Sequence, residues 1–250
     1  MKTVMSLLGS FLIVAGSGCR LDGAVPAAGG NGHPGASGDL QSRRNKMVAE
    51  QIEARGIRTP AVLEAMRKVP RHLFVADALV PYAYEDTPLP IGSGQTISQP
   101  YIVALMTDLL RAGPGSKLLE VGTGSGYQAA VLKEIGAEVW TIEIVEPLAA
   151  AAKSRLTQLG YSTIHFRTGD GYRGWPEEGP FDGIIVTAAP ERLPQPLVDQ
   201  LKTGARLVIP MGRDDQHLWA LRRTEEGIVR EESFPVRFVP MTGEALKTRD

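Results

Sequence analysis

Two stretches of this 250-residue chain carry residue types at spacings that can do chemistry. The first is Lys117-Leu-Leu-Glu-Val-Gly-Thr-Gly-Ser-Gly-Tyr127, an apolar run entering a turn with glycines at 122, 124 and 126. This reads as buried strand, glycine-paved turn and helix, the place where an open α/β sheet holds a nucleotide-like ligand. The spacing is G-x-G-x-G, whereas the dinucleotide fingerprint would put glycine at position 127, which is Tyr127. Glu120 stands directly before the loop. These features favour S-adenosylmethionine over NAD, because that cofactor has no pyrophosphate to seat on a helix start and carries an ammonium group that an acid can meet. The second stretch is Leu89-Pro-Ile-Gly-Ser-Gly-Gln-Thr-Ile-Ser-Gln-Pro100, an irregular loop that no hydrophobic period explains. Loops of this length in a domain are usually functional, and Thr96 and Ser98 are short hydroxyl donors suited to holding a carboxylate. A covalent serine mechanism is disfavoured, since there is no G-x-S-x-G elbow and no evident serine-histidine-acid arrangement.

Ligands of a doubly wound sheet lie at the carboxyl ends of the strands, so polar residues just after each strand are the next candidates. Glu143 can accept both hydrogen bonds of a ribose diol; the competing reading is an acid capping the helix that starts near Pro147. Asp170, in Thr168-Gly-Asp-Gly171, can take an adenine amino group while Gly171 lets backbone approach the ring, against the plainer reading of an Asp-Gly turn. Asp182 belongs to the opposite end of its strand and is left out of the site. His72, beside Leu73, Phe74 and Val75, reads as a structural histidine. Tyr172 and Trp175 either border the ligand or cover the core. Arg237 points toward the active face or into solvent.

The elements that must position these residues follow from periodicity and punctuation. Met47, Val48 and Ile52 lie at helical spacing in a segment ending near Gly56. Thr59 and Pro60 start a second helix running to Val69, and Ser98 or Gln99 is expected to cap a third from Pro100 through Leu110. Strands are expected at 117–121, 138–143, 163–167, 181–187 and 205–209, with helices near 127–135, 147–159 and 196–201 between them. Segments 217–223 and 234–239 read as antiparallel strands at one edge. The fold class is therefore α/β, with a doubly wound, mostly parallel sheet of seven strands, an antiparallel C-terminal edge and extra N-terminal helices.

Composition bounds the rest. With 43% hydrophobic residues the chain can bury a full core, and residues 41–250 are expected to form one domain. Lys and Arg total 27 against 28 Asp and Glu, a formal net charge of −1, and aromatics make up 6%, so no basic stripe with stacking rings points to a nucleic-acid partner. Cys19 is the single cysteine, and His33, His72, His165 and His217 are scattered, so no metal site is expected. Residues 1–19, with Lys2 before an apolar run ending at Gly16-Ser-Gly-Cys19, look like an export signal of the lipoprotein kind; the alternative is a start assigned too far upstream of a cytoplasmic protein. Membrane attachment is expected only if Cys19 is lipidated. Residues 20–40, rich in glycine with Pro26 and Pro34, read as a flexible tether.

Several blocks also carry a resemblance. Arg55-Gly-Ile57, Val69-Pro-Arg-His-Leu-Phe-Val75, Ala83-Tyr-Glu-Asp86, Gly94-Gln-Thr-Ile-Ser-Gln-Pro-Tyr101, Leu119-Glu-Val-Gly-Thr-Gly-Ser-Gly-Tyr-Gln-Ala-Ala130, Gly169-Asp-Gly171, Phe181-Asp-Gly-Ile-Ile-Val-Thr-Ala-Ala189 and Val236-Arg-Phe-Val-Pro240 resemble the protein-L-isoaspartate O-methyltransferases. The likeness spans roughly residues 43 to 242, and the Gly94–Tyr101 block is its most specific part. It implies S-adenosylmethionine-dependent methylation of L-isoaspartyl residues in damaged proteins and peptides, extending to D-aspartyl residues as an open alternative, followed by collapse of the methyl ester to a succinimide. It implies Ser98 as the active-site serine, Thr96, Ile97 and Gln99 as residues covering the substrate, and Glu120, Gly122, Thr123, Gly124, Gly126, Glu143, Asp170 and Gly171 as the cofactor pocket. It also implies a cytoplasmic monomer without a metal. The leader is the departure from that pattern. Rival readings are a methyltransferase for a small molecule or RNA, an NAD-dependent oxidoreductase, and an exported binding protein that kept the fold without the reaction.

Overall fold

A seven-stranded sheet organises the computed structural model, which describes residues 36–247. The leader and most of the expected tether lie outside the described residues. Helix α1 (Ala36–Met47) begins five residues before the expected start of the domain at 41, and the chain then widens into a π turn over Val48–Ile52 and ends at Gly56, whose φ of 101° is the left-handed conformation glycine adopts without a Cβ penalty. Helix α2 (Pro60–Lys68) buries Val62, Leu63, Ala65 and Met66 on one stripe.

The stretch 89–100 is not irregular: β1 (Leu89–Gly92) and β2 (Gln95–Ile97) form a small antiparallel hairpin. Its two-residue turn, Ser93-Gly94, has φ of 52° and 69°, matching the primed turns whose twist suits a hairpin. With strands this short, period-two patterning has too few residues to be seen, and only the Ser-Gly pair could have signalled the turn. Helix α3 (Pro100–Leu110) follows.

The sheet then builds by alternation: β3 (Lys117–Val121), α4 (Tyr127–Glu134), β4 (Glu138–Glu143), α5 (Glu146–Gln158), β5 (His165–Thr168), β6 (Phe181–Val186), α6 (Gln195–Asp199), β7 (Leu201–Met211), β8 (His217–Thr224) and β9 (Gly227–Pro235). The order across the sheet is β5-β4-β3-β6-β7-β8-β9; the first five are mutually parallel, and β8 pairs antiparallel with β7 on one side and β9 on the other. The chain leaves β3 toward β4 on one side and later returns to β6 on the other, so the carboxyl end of β3 is the switch point where a crevice opens. The last strand lies at 227–235 rather than at 234–239. Its charges hid it: Glu231 is paired at 2.6 Å with Arg222 on the neighbouring β8 and at 2.7 Å with Arg206 on β7 beyond it, so ion pairs stand where an apolar run would have marked a strand.

Strand side chains alternate between two cores. Leu118, Val139, Ile185 and Val208 face the helices α2 to α4, whereas Leu119, Val121, Trp140, Ile142, Ile184, Val186, Leu207 and Ile209 face a second cluster with Leu197, Met241 and Ala245. Residues 236–247 contribute no strand. They cross back over the strand ends, with the Ala189 amide donating to the Val239 carbonyl and the Met241 amide donating to Ala189, both at 2.8 Å. Among the described residues, no helix is long and apolar enough to cross a membrane.

Candidate active site

The glycine turn is shaped by backbone needs that only glycine meets. Gly122 has φ of 99°, and a Cβ there would stand 2.3 Å from the Thr187 hydroxyl oxygen, which itself donates to the Gly122 carbonyl at 2.6 Å. The Gly122 and Thr123 amides both point back to the Ile142 carbonyl, tying the turn to β4. Gly126, at φ of 89°, starts α4 and leaves room for Leu156. It carries the turn from below and is not part of the cavity wall.

Around this turn lies an open cleft whose empty space, its mouth to solvent included, comes to about 840 Å³. Gly122, Thr123 and Gly124 form one wall; Glu143 and Ile144 at the end of β4, Asp170 to Tyr172 after β5 and Thr187 after β6 form others. Gln95, Thr96, Ile97 and Ser98 close the side nearest the hairpin. Glu143 is 6% exposed, and both of its oxygens are engaged: Oε2 accepts from the Gly124 amide at 2.7 Å and Oε1 from the Val145 amide at 2.9 Å. These bonds join both readings of Glu143, since the carboxylate ties the turn to the start of α5 and, with up to four acceptor directions, still has capacity for a diol. Asp170 likewise accepts from the Tyr172 amide at 2.9 Å and the Glu244 amide at 2.6 Å. It caps its own turn and also pins the C-terminal segment. Gly171 presses on Val121, 2.4 Å from where a Cβ would sit.

Besides Gly126, two further expected residues sit outside the cavity. Glu120 is 0% exposed and lies beneath the turn, outside the cavity. The pleat explains this: Glu120 faces the α3 and α4 side with its cross-strand neighbour Thr141, whose hydroxyl donates to Glu120 Oε2 at 2.5 Å, while Oε1 has no partner among the described residues. Burial pushes its carboxyl up to about 8, with nearby Glu143 adding to the rise and Thr141 opposing it. An acid mostly protonated at neutral pH and out of reach does not serve an ammonium group here. Gln99 also turns away from the cavity, its amide nitrogen 3.3 Å from Asp86 Oδ2.

Ser98 lines the cavity, half-buried, and its side chain makes no hydrogen bond among the described residues. The expectation that Ser98 or Gln99 caps α3 with its side chain is corrected. That bond comes from Asp86, whose Oδ1 accepts the Tyr101 amide at 3.0 Å. Ile97 is buried at 3%, and Thr96 is exposed at the rim. Asp182 sits at the amino end of β6, bonded to the Lys117 amide and Lys202, away from the cavity. His72 bonds the Tyr84 hydroxyl at 2.6 Å, and burial lowers its pKa, as suits a structural group. Tyr172 borders the cavity; Trp175 packs in the second core beneath Arg167. Arg237 is exposed beyond the end of β9. Sequence reasoning assigned no role to Thr187, Ala188 or the crossing segment Val239–Thr242, which complete the cavity. The blocks Phe181–Ala189 and Val236–Pro240 contain four of them, but nothing in either block tells of their meeting, which rests on bonds between residues fifty or more positions apart.

The donor set fits S-adenosylmethionine. A backbone cradle that a Cβ would fill, two hydrogen-bonded acids and the apolar Ile144 and Met241 suit an adenosine with a polar tail. Among the described residues no group of three or more His, Cys, Asp or Glu is placed to hold a metal.

Comparison with known proteins agrees with this geometry. A family model described as protein-L-isoaspartate(D-aspartate) O-methyltransferase matches residues 42–246. The protein-L-isoaspartate O-methyltransferase of Gloeobacter violaceus is 58% identical over 200 residues, covering 79% of this chain and 98% of that protein. A solved protein-L-isoaspartate O-methyltransferase superposes with a TM-score of 0.75 at 28% identity, covering 81% of this chain and 67% of that one. A Plasmodium falciparum chain described as a beta-aspartate methyltransferase, in complex with S-adenosyl-L-homocysteine, gives a TM-score of 0.68 at 28% identity, over 80% of this chain and 98% of its own. With the cavity at the switch point, the hydroxyl-bearing hairpin and these matches together, the chain belongs to the protein-L-isoaspartate(D-aspartate) O-methyltransferase family.

Proposed function

We propose that this protein transfers a methyl group from S-adenosylmethionine to the free carboxylate of L-isoaspartyl residues in damaged proteins and peptides. The observation that carries the reading is that one cavity joins the glycine turn, Glu143 and Asp170 to Thr96, Ile97 and Ser98 of the hairpin segment. When bound, S-adenosylmethionine supplies an electrophilic methyl group on a sulfonium. The acceptor is a main-chain-type carboxylate with a pKa near ~3.5, already ionised at neutral pH, so no general base is needed. The chain's task is positioning. The uncommitted Ser98 hydroxyl donates to the acceptor carboxylate, and Thr96 offers a second donor at the rim. Buried Ile97 gives that end of the cavity an apolar floor that keeps water off the acceptor. Once the carboxylate becomes an ester its charge is gone, the bond to Ser98 weakens, and the product is released. On the other side, Glu143, Asp170 and the 122–124 backbone hold the ribose, adenine and tail.

On this reading the protein acts as a monomer in the cytosol, where the methyl donor is made; the alternative is an exported or periplasmic lipoprotein, from the leader that ends at Cys19. Cell fractionation and light scattering check those two statements. The function itself is tested with labelled S-adenosylmethionine and paired peptides carrying L-isoaspartate or ordinary aspartate at one position. Labelling of the isoaspartyl peptide alone is expected; equal labelling of both, or none, defeats the reading.

A further inference from the structure

The segment that carries Ser98 is held at two points. On one side Ile97 pairs with Leu89 in the hairpin; on the other, Asp86 accepts the Tyr101 amide. Between them Ser98 has no side-chain bond of its own, so its direction depends on those anchors. Asp86 does more than cap the helix. Its Oδ2 meets Gln99 Nε2 at 3.3 Å and Arg55 Nη1 at 2.6 Å, and the Arg55 guanidinium lies 3.4 Å from the centre of the Tyr101 ring. Behind it, the wholly buried Arg71 holds the same stretch of chain by donating to the carbonyls of Ala83 at 2.9 Å and Thr87 at 3.5 Å. Two arginines thus flank a carboxylate close to a place where another carboxylate must bind. Their charge offsets that of Asp86, and Asp86 occupies the first free amide of α3, which would otherwise attract the acceptor away from Ser98.

We propose that Asp86, clamped by Arg55, is a positioning residue that fixes Gln99 and Tyr101 and thereby aims Ser98 at the acceptor carboxylate. The proposal rests on the function given above, and its test separates the two. Steady-state kinetics with an isoaspartyl peptide and calorimetry with S-adenosylhomocysteine are run on the full chain and on Asp86→Ala, Asp86→Asn and Arg55→Gln. Asp86→Ala should lower kcat/KM for the peptide by about tenfold or more while S-adenosylhomocysteine affinity stays within about twofold. Asp86→Asn keeps an oxygen for the Tyr101 amide but turns its NH2 toward the donors Arg55 and Gln99, so it should recover only part of the loss, with kcat/KM between those of Asp86→Ala and wild type. Should Asp86→Ala fail to fold, the partly exposed Arg55→Gln reads the same split, chiefly as a raised KM for the peptide. An unchanged kcat/KM in Asp86→Ala, an equal loss of S-adenosylhomocysteine affinity, or an Asn variant as poor as Ala overturns the proposal alone. A wild-type protein idle on the isoaspartyl peptide overturns it together with the function.

Discussion

Ser98 and Asp170 line different walls of one cavity, and the proposed function gives them separable work. On that reading Ser98→Ala removes a donor to the acceptor and nothing else, so turnover should fall by about 10- to 100-fold with cofactor affinity unchanged. Asp170→Ala frees the amides of Tyr172 and Glu244, and cofactor affinity should fall first. Calorimetry beside turnover distinguishes the two, and loss of cofactor binding in the Ser98 variant would show that the division of roles is wrong. Glu120 makes a different prediction. Its carboxyl sits at about 8 in the folded protein against an ordinary 4.5, so between those values the unfolded chain releases a proton that the folded chain keeps. Folding stability therefore declines as pH rises from about 4.5 to about 8, by at most a few kcal/mol. Glu120→Gln carries no such proton. Its Tm measured from pH 5 to pH 8 should fall less steeply than that of wild type, and parallel curves would count against a protonated Glu120.

At the scale of elements, the boundaries of α3, β3 and β4 were legible to the residue, because Pro100, the apolar run before Gly122 and the run ending at Glu143 are strong local signals. The hairpin and β9 were not, the first because four- and three-residue strands show no period, the second because ion pairs hold its edge. The candidate site divided along the same line. Residues inside a motif, such as Gly122, Glu143 and Ser98, were found, while the capping role of Asp86 and the cavity wall at Thr187 depend on partners 15 and 65 residues away. Glu120 was misplaced because a motif fixes position along a strand but only the pleat fixes the face. The turn itself can be tested: Gly122→Ala forces a side chain onto a φ of 99° and against the Thr187 hydroxyl. It should cost about 1–3 kcal/mol, read by calorimetry as a Tm lower by about 2–10 °C.

Across the whole molecule, the crossing segment 236–247 joins the far end of the chain to the middle of the sheet. Met241 and Ala245 belong to the second core, the Glu244 amide meets Asp170, and the Glu244 carboxylate meets Arg173 at 2.6 Å. The exposed Arg173 pair adds little by itself, so the buried residues and the Asp170 bond are what seat the segment. A chain ending at Pro240 should still fold its sheet, with near-native far-ultraviolet circular dichroism, yet bind S-adenosylhomocysteine at least about tenfold more weakly. Native-like affinity in that shortened chain would show that the segment is a passive covering. The same dependence bears on folding. The strands of the sheet precede Val239 to Glu244 in the chain, so a molecule can hold a nearly finished sheet and still have an open pocket. Methylating competence would then arrive only once 239–244 had crossed the strand ends, and a molecule clipped there by a protease would keep its sheet while losing its trade.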